Sequence, residues 1–303
     1  MSSQALPRDP AEQDNTICNL EEVQSEFFKD RALIVVSNRG PVTFHPAEEV
    51  EDEDADEDEL TYEYGQGGLV TALTGLCHYA DVTWIATADT EEDLRWHHGT
   101  VPMNGDEIRI KFVETKEDIY DRYYSVIANP LLWFLQHSMW DVPRAPVINQ
   151  KTWQAWEEGY VEVNRRFAEA IAEVVREMDT PPLVMLQDYH LYLTAKFLRE
   201  ELGEEAEGKM PTIMHFIHIP WPGPEYWRIL PPAMRTAILE GLCSVDIIGL
   251  QTQQDKMNFL RTCRALLPQA EARFKRARVW YNNHATHVRY FPISIDVDSL
   301  LET

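Results

Sequence analysis

Residues 181–190 read P-P-L-V-M-L-Q-D-Y-H, and they pass from apolar side chains to a carboxylate, a phenol and an imidazole with no polar spacer. A short, continuous apolar run is typical of a strand that is buried on both faces of a parallel sheet. Ligands of open α/β sheets bind outside the carboxyl ends of such strands. The stretch therefore predicts that Asp188 and His190 project from a strand end toward one cleft.

Strands and helices alternate on either side of this stretch. The segments 31–39, 81–86 and 108–113 are strand-like before it, and T-I-M-H-F-I-H and V-D-I-I-G-L-Q are strand-like after it. Over 150–178, apolar residues recur at steps of three and four, which indicates a long amphipathic helix. V-T-F-H after the first strand predicts a hairpin. The alternation favours an α/β fold whose largely parallel sheet carries helices on both faces.

The composition is that of a globular protein. The 303 residues are 44% hydrophobic, and no Pro-rich or Gly-rich linker divides them. We expect a flexible tail at 1–25 and one α/β domain at 26–303. The four cysteines form no C-x-x-C pair, which favours a reducing, cytoplasmic location. No signal-peptide core and no run of about 18 apolar residues occurs, so a membrane is not an expected partner.

The net charge of −24 is concentrated in one segment. Ten of the twelve residues from Glu48 to Glu59 are acidic, and such a run repels itself and stays solvated. We expect a disordered acidic loop at 47–59, with a cation or partner site as the alternative. No basic stripe is present, which argues against nucleic acid as a partner.

Two motifs suit anion binding. G-Q-G-G-L at 65–69 precedes a helical pattern, and glycines at a helix N-terminus let backbone N–H groups approach a phosphate or diphosphate. The pattern fits no standard nucleotide-binding motif, so a plain tight turn is the alternative. S-N-R-G-P-V follows the first strand, where the Arg39 guanidinium would either bind a phosphate or carboxylate at two points or form a surface ion pair.

Two further motifs carry histidines and aromatic rings. His215 and His218 lie three apart on a predicted strand, which places them on opposite faces and argues against a zinc pair. We assign His215 to the core, and we hold His218 as a site candidate fixed by the proline-rich turn that follows it. In D-R-Y-Y-S-V-I-A-N-P-L-L-W, Tyr124 and Trp133 either belong to the core or line a sugar pocket.

Taken in order, these motifs resemble the N-terminal half of trehalose-6-phosphate synthases. They are S-N-R-G-P-V, G-G-L-V-T-A-L, Y-Y-S-V-I-A-N-P-L-L-W, Q-D-Y-H-L, H-I-P-W-P-G-P-E, V-D-I-I-G-L-Q-T and F-P-I-S-I-D. The resemblance covers roughly residues 31–298 and implies a retaining glycosyltransferase of the GT-B architecture. Its Rossmann-like N-terminal domain would hold the acceptor, and a C-terminal domain, expected to be absent from this chain, would hold the donor nucleotide.

The resemblance also implies roles for acceptor-site residues. Arg39 would grip the acceptor phosphate, and Tyr124 and Trp133 would line the acceptor pocket. Asp188 would hydrogen-bond acceptor hydroxyls.

On the donor side, the backbone N–H groups of Gly67 and Gly68 would approach the donor diphosphate. His218 would contact the donor glucose near the reacting centre. The expected catalytic residues are therefore Asp188 and His218.

The implied reaction transfers a glucosyl group with retention to glucose 6-phosphate from a nucleotide-glucose, of which UDP-glucose is the expected form. It needs no protein nucleophile, no metal and no cofactor, because positioning and preorganised electrostatics provide the catalysis. A separate C-terminal domain or a homo-oligomer would complete the site. We expect the 303-residue chain to be inactive alone.

Two positions depart from the family pattern. Thr87 stands where an aromatic acceptor contact is usual, and Ser294 replaces a glycine in the last motif. Thr87 leaves open another phosphorylated acceptor, such as glycerol 3-phosphate or a cyclitol phosphate. A second class of function also stays open, a non-catalytic sugar-phosphate sensor or regulatory subunit that keeps the acceptor pocket.

Overall fold

The computed structural model describes residues 26–29, 31–46, 60–65, 70, 73, 75–103, 105–139, 147–203 and 209–292. The predicted tail at 1–25, the acidic loop at 47–59 and three of the positions singled out above, Gly67, Gly68 and Ser294, lie outside the described residues. None of the helices in the described part of the chain combines the length and hydropathy needed to span a bilayer.

The strands of the described residues are numbered in chain order. They are β1 (Leu33–Val36), β2 (Val42–Pro46), β3 (Leu60–Tyr64), β4 (Val82–Thr87), β5 (His98–Met103), β6 (Asp106–Val113), β7 (Leu183–Gln187), β8 (Thr212–Phe216), β9 (Ile247–Leu250), β10 (Glu271–Arg273), β11 (Arg278–Tyr281) and β12 (His284–Tyr290).

The helices are numbered in the same way. They are α1 (Glu91–Trp96), α2 (Glu117–Asp121), α3 (Phe134–Gln136), α4 (Gln150–Ala155), α5 (Glu162–Glu177), α6 (Thr194–Leu202), α7 (Pro224–Trp227), α8 (Pro232–Leu242) and α9 (Gln253–Leu266). Two segments with π-type hydrogen bonding are π1 (Arg122–Trp133) and π2 (Trp156–Val161). Short 3-10 turns lie at Gly75–His78, Tyr189–Leu191 and Phe274–Arg276.

The main sheet has the order β10-β11-β12-β9-β8-β7-β1-β4-β6-β5. Its central strands, from β12 to β6, pair in parallel, which confirms the predicted parallel sheet. The outer strands β5, β10 and β11 pair antiparallel and were not predicted. Short connections of two to four residues explain the antiparallel pairing, because parallel strands need a crossover of about a dozen residues or more. Asn282 and Asn283 between β11 and β12 both have positive φ, as a two-residue hairpin turn requires.

The predicted hairpin after the first strand is also confirmed. β2 pairs antiparallel with β3 in a separate two-stranded sheet, in a register that sets Val42 opposite Tyr64 and Pro46 opposite Leu60. Phe44 in β2 packs into a core cluster on one face of the main sheet. The hairpin therefore lies beside the carboxyl end of β1.

β1 is buried on both faces because its four residues are all apolar. Leu33 and Val35 belong to one core cluster, and Ile34 and Val36 belong to another, as the alternation of side chains along a strand dictates. The chain moves from β1 toward β4 and β6 in one direction, and from β7 toward β8 and β9 in the other. β1 and β7 thus flank the point where the order reverses, where open α/β sheets hold their ligands.

The long helix predicted over 150–178 is present with one irregularity. α4 and α5 are joined by π2 into a continuous helical rod that ends at Glu177. π2 contains Gly159, where a Cβ atom would lie 2.7 Å from the backbone nitrogen of Tyr123 in π1. Only glycine permits this approach of the two segments, so Gly159 fixes the position of π1 against the rod.

Candidate acceptor pocket

A cavity of about 500 Å³ opens at the carboxyl ends of β1 and β7. This size is within the range typical of small-molecule sites, about 300–1,000 Å³. The strand ends contribute six lining residues, Ser37, Asn38, Arg39, Gln187, Asp188 and His190. Tyr120 and Tyr124 close one side, and residues of the β2–β3 hairpin close another. The prediction that Asp188 and His190 face one cleft is confirmed.

Asn38 is the hub of a buried hydrogen-bond network on the β1 side. Its Nδ2 donates to the Tyr120 hydroxyl at 3.1 Å, and its Oδ1 accepts from the Tyr123 hydroxyl at 3.0 Å. The Thr87 hydroxyl lies 3.5 Å from the same Oδ1. Because both ends of the Asn38 amide are engaged, this wall is fixed before any ligand arrives.

Arg39, the next residue, is different. Its side chain is exposed, and among the described residues its guanidinium has no hydrogen bond or ion pair. Its charge nevertheless changes the pKa values of two pocket residues. Burial lowers the pKa of His190 and the Arg39 charge lowers it further, while burial raises the pKa of Tyr120 and Arg39 opposes that rise. An exposed guanidinium at the mouth of a polar pocket is suited to a phosphate or carboxylate group.

Asp188 stands at the end of β7 with an unusual backbone. Its φ of 65° is rare for a residue other than glycine, and its N–H donates to Phe216 O at 2.7 Å while its C=O accepts from His215 Nε2 at 2.8 Å. The carboxylate accepts the backbone N–H of His218 at 3.1 Å. Burial raises the pKa of Asp188 to about 7, although backbone hydrogen bonds, that of His218 first among them, favour the charged form.

Three nearly parallel rings form the side of the pocket. Tyr120 stacks on Tyr124 with centroids 5.5 Å apart and planes 8° apart, and Tyr124 stacks on His190 at 5.9 Å and 9°. The Nε2 atom of His190 is buried and has no hydrogen-bond partner among the described residues. Burial, with a smaller effect of Arg39, lowers the pKa of His190 to about 3, so the ring is neutral at pH 7.

The residues predicted for the site divide into three groups. Arg39, Tyr124 and Asp188 line the pocket. His218 and Trp133 do not line it. Trp133 instead packs on His137 with ring centroids 4.1 Å apart. The third group, the two glycines at 67 and 68, lies outside the described residues.

The histidines of β8 also need a correction. β8 ends at Phe216, so His218 follows the strand rather than lying on it. His215 is fully buried, which confirms it as a core histidine. His218 lies behind the end of β7, where its ring contacts Gln187 and its backbone contacts Asp188.

Several lining residues were not assigned to the site from sequence, among them Asn38, Gln187, Tyr120 and Asp89. Asn38 precedes Arg39 and Gln187 precedes Asp188, so their position next to predicted site residues was the available signal. Tyr120 lies four residues before Tyr124, a spacing that puts both on one helix face. Asp89 follows β4, whose carboxyl end adjoins that of β1. Among the described residues, no group of three or more His, Cys, Asp or Glu side chains is arranged to hold a metal ion.

Comparison with known proteins places the chain in a family. The model of glycosyltransferase family 20 matches residues 31–303. The chain belongs to glycosyltransferase family 20. This family 20 chain is 31% identical over 276 residues to the α,α-trehalose-phosphate synthase (UDP-forming) of Candida albicans, a match that covers 89% of this chain and 52% of that protein.

Further relatives agree with this family assignment. The trehalose-6-phosphate synthase of Mycobacterium ulcerans is 32% identical over 292 residues, which cover 93% of this family 20 chain and 52% of the relative. A solved structure of the Escherichia coli protein with UDP-2-fluoro-glucose has 23% identity and a TM-score of 0.64, over 89% of this chain and 50% of that one. The chain thus spans about half the length of the relatives, and the predicted fold, the N-terminal half of a GT-B glycosyltransferase, is confirmed.

Proposed function

We propose that this chain supplies the acceptor site of a glycosyltransferase that transfers glucose, with retention, from a nucleotide-glucose to glucose 6-phosphate. The single observation that carries the proposal is the guanidinium of Arg39, which has no partner among the described residues, at the mouth of the pocket. A cation that is unpaired within the described part of the chain is suited to pair with an anion from the ligand. The relatives whose names denote UDP-forming trehalose-phosphate synthesis support the reaction and UDP-glucose as donor.

The rest of the pocket suits the sugar ring of such an acceptor. The Asp188 carboxylate offers oxygen acceptors for hydroxyl groups, and the unpartnered His190 Nε2 offers a further polar contact. Tyr120 and Tyr124, which both line the pocket, supply an aromatic wall against which the C–H groups of a sugar can pack. Phosphate at Arg39 and hydroxyls at Asp188 would hold both ends of one small molecule.

The donor side is completed elsewhere in this proposal. Gly67, Gly68 and His218 would meet the donor sugar and its diphosphate from this chain. A C-terminal donor domain, from a longer polypeptide, a separate polypeptide or a second copy, would bind the nucleotide. Because half of the contacts to the transition state would then be missing, residues 26–303 by themselves would bind the acceptor without turnover.

Thr87 favours a second candidate, a related synthase with another phosphorylated acceptor such as glycerol 3-phosphate or a cyclitol phosphate. Its side chain lines the pocket beside Asn38 and leaves the space that a larger aromatic residue would fill. A sugar-phosphate sensor without catalysis would use the same pocket. The proposed donor contact of His218 favours the enzyme over the sensor, because a sensor has little use for it. The hydrogen bonds of His218 to Gln187 and Asp188 support a fixed position for that contact.

Isothermal titration calorimetry with glucose 6-phosphate tests the proposal. We expect saturable binding that Arg39→Ala weakens by about 10- to 100-fold, the value of a hydrogen-bonded charge pair. Arg276→Ala is the matched control, because it removes an exposed arginine at the far edge of the sheet. Equal binding by the wild type and both variants would contradict the proposal. Glycerol 3-phosphate and a cyclitol phosphate, titrated in parallel, decide between the acceptors.

A further inference from the structure

The ring of His218 is held by a buried amide that has no role in the proposal above. Gln187 Oε1 lies 2.8 Å from His218 Nε2, and the Gln187 side chain is almost fully buried. The two residues share one face of the sheet, because Gln187 is in register with Phe216 and Phe216 contacts the His218 ring at 4.6 Å. The imidazole is thus fixed by an amide on one side and an aromatic ring on another.

The orientation of the amide determines which imidazole nitrogen carries the proton. Gln187 Nε2 faces Met185 O at 3.4 Å, and rotating the amide by 180° would set its oxygen against that carbonyl oxygen. Oε1 therefore faces His218, and since an amide oxygen only accepts, His218 Nε2 must donate. Burial lowers the pKa of His218 to about 4, so at pH 7 the ring carries one proton only. Nδ1 is left with a lone pair, and the hydrogen bonds of His218 to other described residues involve only its backbone N–H and Nε2.

The backbone of His218 is fixed by Asp188, the residue that directly follows β7. Asp188 accepts the His218 N–H, while Gln187 accepts from the ring. Adjacent residues of an extended strand point to opposite faces, so they could not ordinarily hold one residue. The positive φ of Asp188 ends the strand and turns its carboxylate toward the chain that follows β8.

We propose that Gln187 is a positioning residue that holds His218 in the Nε2–H tautomer, so that Nδ1 is presented as an acceptor for a hydroxyl group of the sugar ligand. The inference rests on the proposed contact between His218 and the donor glucose, but the tautomer itself does not depend on it. Hydrogen bonding of one ring nitrogen is the usual means by which proteins select the function of the other.

Nuclear magnetic resonance of the chain labelled with ¹⁵N-histidine tests the inference, with His218→Asn to assign the signal. We expect a His218 Nε2–H proton that exchanges slowly with water in the wild type. Gln187→Met, which keeps the length and removes the acceptor, should lose this slow exchange. Gln187→Glu should restore it and raise the pKa of His218 by at least about one unit, because it adds a charge beside the ring.

Several results would overturn the inference. They are an Nδ1–H tautomer in the wild type, an unchanged Nε2–H signal in Gln187→Met, or a Gln187→Glu variant with an unshifted His218 pKa. If Gln187→Met does not fold, the tautomer of His218 in the wild type and the pKa of His218 in Gln187→Glu still test the inference. Titration with glucose 6-phosphate separates the two proposals. If His218 has the expected tautomer but glucose 6-phosphate does not bind, the proposed function is refuted. If glucose 6-phosphate binds but His218 has the other tautomer, only the role of Gln187 is refuted.

Discussion

The floor and the rim of the pocket are built in opposite ways. We use the word floor for the part of the pocket wall formed by Asn38, Tyr120, Gln187 and Asp188, together with Tyr123 directly behind it. The polar groups of these side chains are hydrogen-bonded within the protein. The rim consists of Arg39, Glu63 and Tyr64, which are exposed. Asn38 and Arg39 are neighbours in sequence, yet one is fully engaged and the other has no ionic partner among the described residues.

The difference between floor and rim predicts which residues determine the stability of the fold and which determine only ligand binding. The buried polar groups of the floor are paired within the protein, and leaving one of them unpaired would cost about 1–3 kcal/mol. An exposed guanidinium without a ligand costs the folded state little free energy, because water solvates its charge. Changes in the floor should therefore alter the free energy of unfolding, whereas changes in the rim should alter ligand binding alone.

The largest effect should be the pH dependence contributed by Asp188. Its folded pKa of about 7 is above the ordinary value of 3.8, so the folded state holds the proton more tightly and this contribution to stability is lost as pH rises from 4 to 7. The amide introduced by Asp188→Asn cannot ionise. The free energy of unfolding of Asp188→Asn relative to wild type should therefore rise by up to about 4 kcal/mol between pH 4 and pH 8. Urea unfolding of both proteins measures this, and a pH-independent difference would contradict the shifted carboxyl.

Asn38→Ala should have the next largest effect. The substitution leaves the buried Tyr123 hydroxyl without its acceptor and also removes the donor to Tyr120. We expect a loss of about 2–3 kcal/mol in the free energy of unfolding, the cost of a buried unsatisfied group together with lost contacts. Urea unfolding at pH 7 measures it. A loss no larger than that of a rim variant would remove the distinction between floor and rim.

A matched pair of tyrosines compares the same chemical change in both regions. Tyr120→Phe removes a hydroxyl that accepts from Asn38 in the floor, and Tyr64→Phe removes one that donates to Pro102 O at the exposed rim. We expect a loss of about 0.5–1.5 kcal/mol for Tyr120→Phe and a near-zero change for Tyr64→Phe. Thermal unfolding of both variants decides, and the reverse order would contradict the comparison.

Arg39→Ala should have the smallest effect on stability. The exposed side chain has no ionic partner among the described residues, so the free energy of unfolding should change by no more than about 0.5 kcal/mol. The same variant should lose ligand binding by about 10- to 100-fold, as argued above. A large loss of stability would show that Arg39 is part of the floor.

The interior of the sheet was predictable from sequence, and its edges were not. β1 and β7 are short apolar runs that only a sheet buried on both faces accommodates. β10 and β11 mix charged and apolar residues and are too short for a periodic pattern to appear. Their pairing depends on the neighbouring β12 and on the turn at 282–283, which is information that lies outside the strands themselves.

The site was predictable where it depends on strand ends. Arg39 and Asp188 reach one pocket because β1 and β7 are adjacent and in register, with Val36 opposite Leu186. The network around Asn38 and the ring contact of Gln187 depend on side-chain directions that follow from tertiary packing. The placement of Trp133 away from the pocket likewise follows from the packing of π1 and α3, which spacing along the chain does not reveal.

The close approach at Gly159 means that a residue outside the pocket sets the position of the pocket wall at Tyr124. Tyr123 and Tyr124 belong to π1, and π1 rests on the rod at a position where a methyl group would not fit. A mutation there would move the pocket ring of Tyr124, and with it the Tyr123 hydroxyl that holds Asn38, without touching any ligand. Variation in ligand preference can therefore arise from a residue that does not line the pocket, and a search for altered specificity by random mutagenesis should include this glycine as well as the lining residues.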